Sequence, residues 1–292
     1  MVYLNSFTFP TADDEWNYFA NSSKGGKTCY DSKYPFQLFS ERELPEFYFD
    51  DITVFYGNNG SGKSTILNVI AEKLKLVRNT PYNRTDFFED YVDLCDYTLD
   101  RALPSESEII TSDGVFERVL NIRRINEGID DRRNKIVQEY IAEVSNTDPN
   151  ILHGLDDYDR WKRAHDIRNP KKSQSSFIRK NLIRNFQERS NGESALAYFV
   201  DSIKGDTLYL LDEPENSLSA SNQLQLKYFI EDCVRNYGCQ FIVSTHSPFL
   251  LSLQHAAVYD IDMTPPDKRK WTELESVRVY YDFFVENGWK FE

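Results

Sequence analysis

"FYGNNGSGKSTILN", residues 55–68, decides the fold. Within it, Gly57-Asn58-Asn59-Gly60-Ser61-Gly62-Lys63-Ser64 fits the pattern G-x-x-x-x-G-K-[ST] in full. It lies between an apolar, β-branched run, "ITVFY" (52–56), and a helix-like stretch, "KSTILNVIAEKL" (63–74). The pattern needs that placement, because its glycines let backbone N–H groups turn inward around phosphate oxygens at the positive end of the next helix's dipole. Lys63 is placed to bridge β- and γ-phosphates, Ser64 to offer its hydroxyl to Mg²⁺, and Thr65 stands beside them at the helix start. The bland alternative is a glycine-rich turn that caps a helix. By accident the full pattern arises in a chain of this length on the order of one time in a hundred.

Three further apolar runs bounded by turn residues, "TLYLLD" (207–212), "CQFIVST" (239–245) and "AAVYDI" (256–261), have the look of buried strands. Helical patterns follow the first strand and the second, the latter being "SASNQLQLKYFIEDCVRNY" (219–237). Strand, helix, strand in this order implies a mainly parallel sheet with helical crossovers. Between about residues 76 and 189 strand signals thin out and helical spacing appears, as at Ile136, Tyr140, Ile141 and Val144. The expected fold class is α/β, a P-loop core with an inserted helical lobe. Residues 1–292 form one domain in this reading, with a core lobe of about 1–75 and 200–292 and a helical lobe of about 76–199.

The strand at 207–212 ends in two adjacent acids, Asp212 and Glu213. At the C-terminal edge of a parallel sheet these carboxylates face the phosphate crevice. Asp212 is expected to bind Mg²⁺ through water, and Glu213 to orient and polarise an attacking water. An acidic loop after a core strand is the alternative. The next strand ends in Ser244-Thr245-His246, and His246 is placed to hydrogen-bond a γ-phosphate oxygen. His153, His165 and His255 carry the default structural reading.

Ser190-Asn191-Gly192-Glu193 precedes a helix that runs to about Ile203, so Ser190 and the Gly192 amide present a second phosphate-binding helix start. One chain with one nucleotide site thus has two such helix ends.

In these residues the chain resembles the ATP-binding cassette (ABC) family, and within it the arm-less bacterial ATPases related to the RecF and SMC-type repair and phage-defence ATPases. The likeness covers the phosphate loop 57–64, the signature 190–194, the acidic strand end 208–213, the loop 216–219 and the switch histidine 246. It implies ATP and Mg²⁺ as cofactors and ATP hydrolysis as the activity. Lys63, Ser64, Asp212, Glu213 and His246 would act in cis, while Ser190, Gly192 and Glu193 would close over the nucleotide of a partner copy. A head-to-tail homodimer follows. The departures are Arg189, Asn191 and Glu193 where family signatures read leucine, glycine and glutamine. Asn216-Ser217-Leu218-Ser219 lacks the usual aspartate, and Ser112 and Asp113 stand where a glutamine is common. Tyr34, Phe36 and Phe39 are either adenine-stacking or core residues.

The composition fits an ordinary globular chain: 292 residues, 40% of them apolar, with a net charge of -13. The acidic balance excludes indiscriminate polyanion binding and leaves room for a patch. One candidate patch runs from Arg160 to Arg189, with ten basic residues against Asp166 and Glu188. Four scattered cysteines without a C-x-x-C pair exclude a disulfide scaffold or zinc knuckle, and no segment is apolar enough to span a membrane, so a reducing, cytoplasmic setting is expected. Two readings of purpose follow. In one, nucleotide-driven dimer closure acts on DNA or a DNA-processing partner, in repair or antiviral defence. In the other, the chain is an ATP-dependent switch or scaffold for a separate effector, a nuclease or toxin.

Overall fold

A computed structural model describes residues 1–22, 24, 32–40, 42–146 and 191–291. Along the chain run β1 (Leu4–Thr8), α1 (Ala12–Asn21), β2 (Phe47–Tyr48), β3 (Ile52–Tyr56), α2 (Lys63–Lys73), β4 (Val77–Arg78), α3 (Phe88–Leu94) and β5 (Asp96–Leu99). Next come β6 (Glu108–Thr111), α4 (Ser112–Asn146), α5 (Asn191–Ser202), β7 (Leu208–Asp212), α6 (Ala220–Tyr237) and β8 (Gln240–Ser244). The chain continues with α7 (Pro248–Leu251), β9 (Ala257–Asp260), β10 (Asp267–Lys268) and α8 (Glu275–Asn287).

Seven strands join in the order β10-β9-β3-β8-β7-β6-β4, parallel throughout except between β9 and β10. The four strands expected from apolar runs are β3, β7, β8 and β9, and they are central. Their sequences show no polar alternation because both faces are buried. Leu208 and Leu210 pack in a cluster with Phe55, Ile66, Leu67 and Ile242. Tyr209 and Leu211 pack in a second cluster with Val54, Phe199, Leu226, Phe241 and Val243. Each such fully buried side chain stabilises the fold by about 1.5–3 kcal/mol relative to exposure.

A smaller antiparallel sheet, β2-β1-β5, joins the first cluster through Leu4, Phe7 and Phe47. Gln240, fully buried at the start of β8, links the two sheets. Its Oε1 accepts from the N–H groups of Tyr3 (2.8 Å) and Leu4 (2.9 Å), and its Nε2 donates to the carbonyls of Leu4 (2.9 Å) and Asp50 (3.2 Å).

The chain divides into two compact units, residues 1–116 with 191–292, and residues 117–190. The described part of the second unit is α4 from residue 117 onward. The division falls at 116/117, whereas the expected lobe boundary lies near residue 75. Strands β4, β5 and β6 fall in the stretch read as helical; with two to four residues each, they are too short to show a period. The basic run 160–189, Ser190, His153 and His165 lie outside the described residues.

Candidate active site

The strand register explains why distant motifs meet. Asp212 of β7 pairs with Ser244 of β8, and Ser244 with Phe55 of β3, so three strand ends share one row at the sheet's C-terminal edge. The phosphate loop starts two residues past Phe55, Glu213 one past Asp212, and His246 two past Ser244. Thr111, last residue of β6, extends the row beside Asp212, which puts Ser112 and Asp113 just beyond it.

Helix α2 begins at Lys63 with Gly62 at its N-cap and no side-chain cap, so its first N–H groups are left for an anion. Gly62 has φ +97°, and a Cβ there would meet the Phe39 ring at 2.6 Å, so the position admits only glycine. Gly60 also has positive φ, +81°. Within the loop the Ser61 N–H donates to the Asn58 carbonyl (3.0 Å), the Asn58 N–H to Asp262 Oδ2 (2.7 Å), and Arg42 Nη1 to the Ser61 carbonyl (2.5 Å). Ser61 Oγ is buried with no partner, and Asn59 is exposed.

Lys63 is buried, and its Nζ donates to the carbonyls of Gly57 (2.8 Å) and Asn58 (3.2 Å). The same Nζ lies 2.9 Å from His246 Nε2 and 3.8 Å from Glu213 Oε1. His246 Nε2 is 3.4 Å from that Glu213 oxygen, so the three side chains form a triangle at the loop's mouth. Ser64 Oγ donates to Asp212 Oδ1 at 3.0 Å, and Ser244 Oγ donates to the same oxygen at 2.5 Å. Thr65 Oγ1 accepts from the Tyr34 hydroxyl (2.9 Å). Phe36 and Phe39 are core residues, 4% and 2% exposed, with Phe39 packed under Gly62, and Tyr34 is the half-buried one of the three.

The two adjacent acids have opposite electrostatics. Burial pushes Asp212 above the ordinary carboxyl range, against the hydrogen bonds from Ser244 and Ser64. Glu213 is pulled down to about 2, chiefly by its hydrogen bond with His246, with Asn216 and the Lys63 charge adding to it against burial. Burial also lowers Lys63, while the charges of Glu213 and Asp212 push it back up. Glu213 is therefore the ionised acceptor near neutral pH. Its backbone is left-handed (φ +47°, ψ +52°) just before Pro214, a strained state held by its N–H bonding to the Ser244 carbonyl (3.0 Å).

The donor set fits Mg²⁺ with a nucleotide. Ser64 and Asp212 supply two hard oxygens side by side, and a cation there would offset the desolvation of Asp212. Among the described residues no cluster of three or more His, Cys, Asp or Glu side chains could hold a metal by itself. Mg²⁺ does not need one, since it draws on phosphate oxygens and water for most of its shell.

Gly192 and Glu193 sit in the first turn of α5, whose Ala195 and Phe199 are buried in the second cluster. Sequence reasoning missed Asn216, which donates to Glu213 Oε2 (2.9 Å), and Glu215, which bonds the loop after β8. The only available signal was a second acid two residues beyond Glu213.

The glycine-rich loop after β3, the acidic pair after β7 and the histidine after β8, on adjacent parallel strands, define a P-loop α/β fold. Residues 113–252 match a family described as "AAA domain, putative AbiEii toxin, Type IV TA system". That span contains Asp212, Glu213 and His246 but not the phosphate loop. No curated protein matches the chain. Among solved structures, an Smc head domain bound to the C-terminal domain of ScpA from Pyrococcus furiosus is 13% identical, with 97% of this chain and 100% of that one covered and a TM-score of 0.45. An SMC head domain from Thermotoga maritima is 12% identical, with 92% and 98% covered and a TM-score of 0.39. An ATP-binding cassette in a dimeric post-hydrolysis state bound to ADP and Pi is 12% identical, with 78% and 90% covered and a TM-score of 0.35. At scores this low the fold assignment rests on the chain's own strand order and motifs. Among the described residues no helix is long and apolar enough to cross a membrane.

Proposed function

We propose that the chain binds ATP with Mg²⁺ and hydrolyses it. The carrying observation is the convergence of Lys63, Glu213 and His246 within 3.8 Å of one another, beside the Ser64–Asp212 pair, at the N-terminus of α2. In this reading the loop from Gly57 to Ser64 holds the phosphates and Lys63 turns from the loop carbonyls to the β- and γ-phosphate oxygens. Ser64 and Asp212 hold Mg²⁺, which neutralises charge on the phosphates when bound. Glu213 accepts a hydrogen bond from the attacking water and orients it in line with the γ-phosphorus, and His246 donates to a γ-phosphate oxygen. The water oxygen would bond to the γ-phosphorus as the bond from that phosphorus to the bridging β-phosphate oxygen breaks, the electron pair staying on ADP and the water's protons leaving with the inorganic phosphate or to solvent. Glu213→Gln keeps the shape and removes the charge, so turnover should fall by about 10²-fold or more while ATP binding persists. Single-turnover hydrolysis and bound-nucleotide assays check this, and a variant with unchanged turnover rejects the assignment.

The site is completed in trans in this proposal: Ser190, Gly192 and Glu193 of a second copy close over the γ-phosphate in a head-to-tail homodimer. The dimer cycle acts on DNA or a DNA-processing partner, with the basic run 160–189 as the sequence feature in favour. A second reading, an ATP-dependent switch for a separate toxin or nuclease, is favoured by the matched family's description, which mentions a toxin–antitoxin system. Turnover stimulated by DNA, with salt-sensitive DNA binding, supports the first. Indifference to DNA, with an effector co-purifying with the Glu213→Gln protein, supports the second.

A further inference from the structure

Glu215 lies in the short 3₁₀ turn Pro214–Ser217 that follows the acidic pair, and it is bonded to a different part of the chain. Its Oε1 accepts three hydrogen bonds, from Thr245 Oγ1 (2.7 Å), the His246 N–H (2.6 Å) and the Ser247 N–H (3.2 Å). Its Oε2 is buried with no partner. Strand β8 ends at Ser244, so the N–H groups of His246 and Ser247 lie past the last strand pairing and need another acceptor. A single carboxylate oxygen serves both and the threonine hydroxyl as well, the Ser247 N–H being shared with Thr245 Oγ1 (3.0 Å). A second tie reinforces the first: Ser247 Oγ donates to Gln223 Oε1 (2.7 Å), and Gln223 Nε2 donates to the Leu218 carbonyl (2.9 Å). The loop leaving β7 and the loop leaving β8 are thus joined at two points, on either side of the His246 main chain.

We propose that Glu215 is a positioning residue that fixes the backbone at 245–247, so that the His246 imidazole stays between Lys63 and Glu213 and moves with the loop after the acidic pair. The proposal rests on the ATPase reading for its kinetic consequence and on geometry alone for its structural one. Two facts favour a role beyond packing. A carboxyl group with one oxygen overloaded and the other buried without a partner is a costly way to hold two loops together, since a buried polar atom without a partner is destabilising. Every bond it accepts also falls on the residue that touches Lys63 and Glu213 or on that residue's immediate neighbours. A shift of the histidine of about 1 Å at a phosphoryl-transfer site costs on the order of 10²-fold in rate.

The test uses the full chain with Glu215→Ala, Glu215→Gln and Thr245→Val. In the nucleotide-free protein, the amides of His246 and Ser247 should exchange with deuterium about tenfold faster in Glu215→Ala, with Glu215→Gln closer to wild type because it keeps one acceptor oxygen. In steady-state ATP turnover, kcat should fall about tenfold or more in Glu215→Ala with KM within about twofold, and Glu215→Gln should recover most of it. Should Glu215→Ala fail to fold, Thr245→Val, which removes one of the three donors to Glu215 and also the second acceptor of the Ser247 N–H, is expected to move turnover and the His246 amide the same way by less, the His246 amide being the one that depends on Glu215 alone. Unchanged exchange at 246–247 in a folded variant overturns the proposal, as does a loss in which KM and kcat worsen together and glutamine gives no recovery. A wild-type protein without ATP turnover overturns the ATPase reading instead, while the exchange comparison still judges Glu215.

Discussion

Asp212 and Glu213 are neighbours with opposite costs. Among the described residues Asp212, at the sheet's edge, accepts from the hydroxyls of Ser64 and Ser244, and burial raises its pKa. A carboxyl raised in the folded state lowers stability once the pH passes its ordinary value, and the penalty lifts as pH falls below it. Near neutral pH Asp212 is thus a destabilising charge in the nucleotide-free protein. Asp212→Asn keeps an oxygen for Ser64 and Ser244 and removes the charge, so the melting temperature without nucleotide should rise by about 2 °C or more. The same variant should lose the Mg²⁺-dependent part of the stabilisation by ATP. Differential scanning fluorimetry with and without MgATP reads both, and a variant less stable than wild type in both conditions contradicts the assignment. Glu213 behaves the other way: its carboxyl, held down to about 2, adds stability above its ordinary value that is lost as pH falls toward 2. An acidic limb in turnover near pH 5 or 6 would therefore belong to another group.

At the scale of elements, legibility followed burial. The central strands β3, β7 and β8 were readable because both faces are buried and their residues are uniformly apolar, and the motifs at their ends were readable because glycine, lysine and paired acids are rare in that order. Strands β1, β2 and β5 were not readable. β5 is largely exposed, β2 has two residues, and all three depend on long-range pairing that leaves no local period. Glu215 and Gln240 were missed for the same reason, since their partners are up to 237 positions away. Gln240 reads from sequence as an incidental polar residue in an apolar run. In the fold it satisfies two N–H groups and two carbonyls between the sheets, so Gln240→Leu should cost about 3 kcal/mol by leaving buried backbone groups unpaired. Urea unfolding followed by circular dichroism measures this; a loss below about 1 kcal/mol would mean that water replaces the side chain.

The whole molecule poses the question of completeness. The described residues bring Lys63, Ser64, Asp212, Glu213 and His246 together around the start of α2, and the proposed function gives them the phosphate, Mg²⁺ and water-orienting roles. The second phosphate-binding helix start expected from the sequence, Ser190 with Gly192, is given by the proposal to a neighbour's nucleotide; of the two, Gly192 is described and lies in the first turn of α5. Mixing two inactive variants separates this from a site complete in one chain. Lys63→Ala disables the phosphate loop, and Ser190→Arg blocks the signature helix start. If the site is shared, a mixed dimer has one site with both lesions and one with neither, because the intact loop of one chain meets the intact signature of the other. Random pairing of equal amounts makes half the dimers mixed, so about a quarter of wild-type turnover should return on mixing. Each variant alone should stay near background, and the recovered rate should rise with protein concentration as association requires. A mixture no more active than the mean of its parts, at concentrations where ATP-loaded Glu213→Gln protein sediments as a dimer, would place Ser190 in the same chain's site or in none.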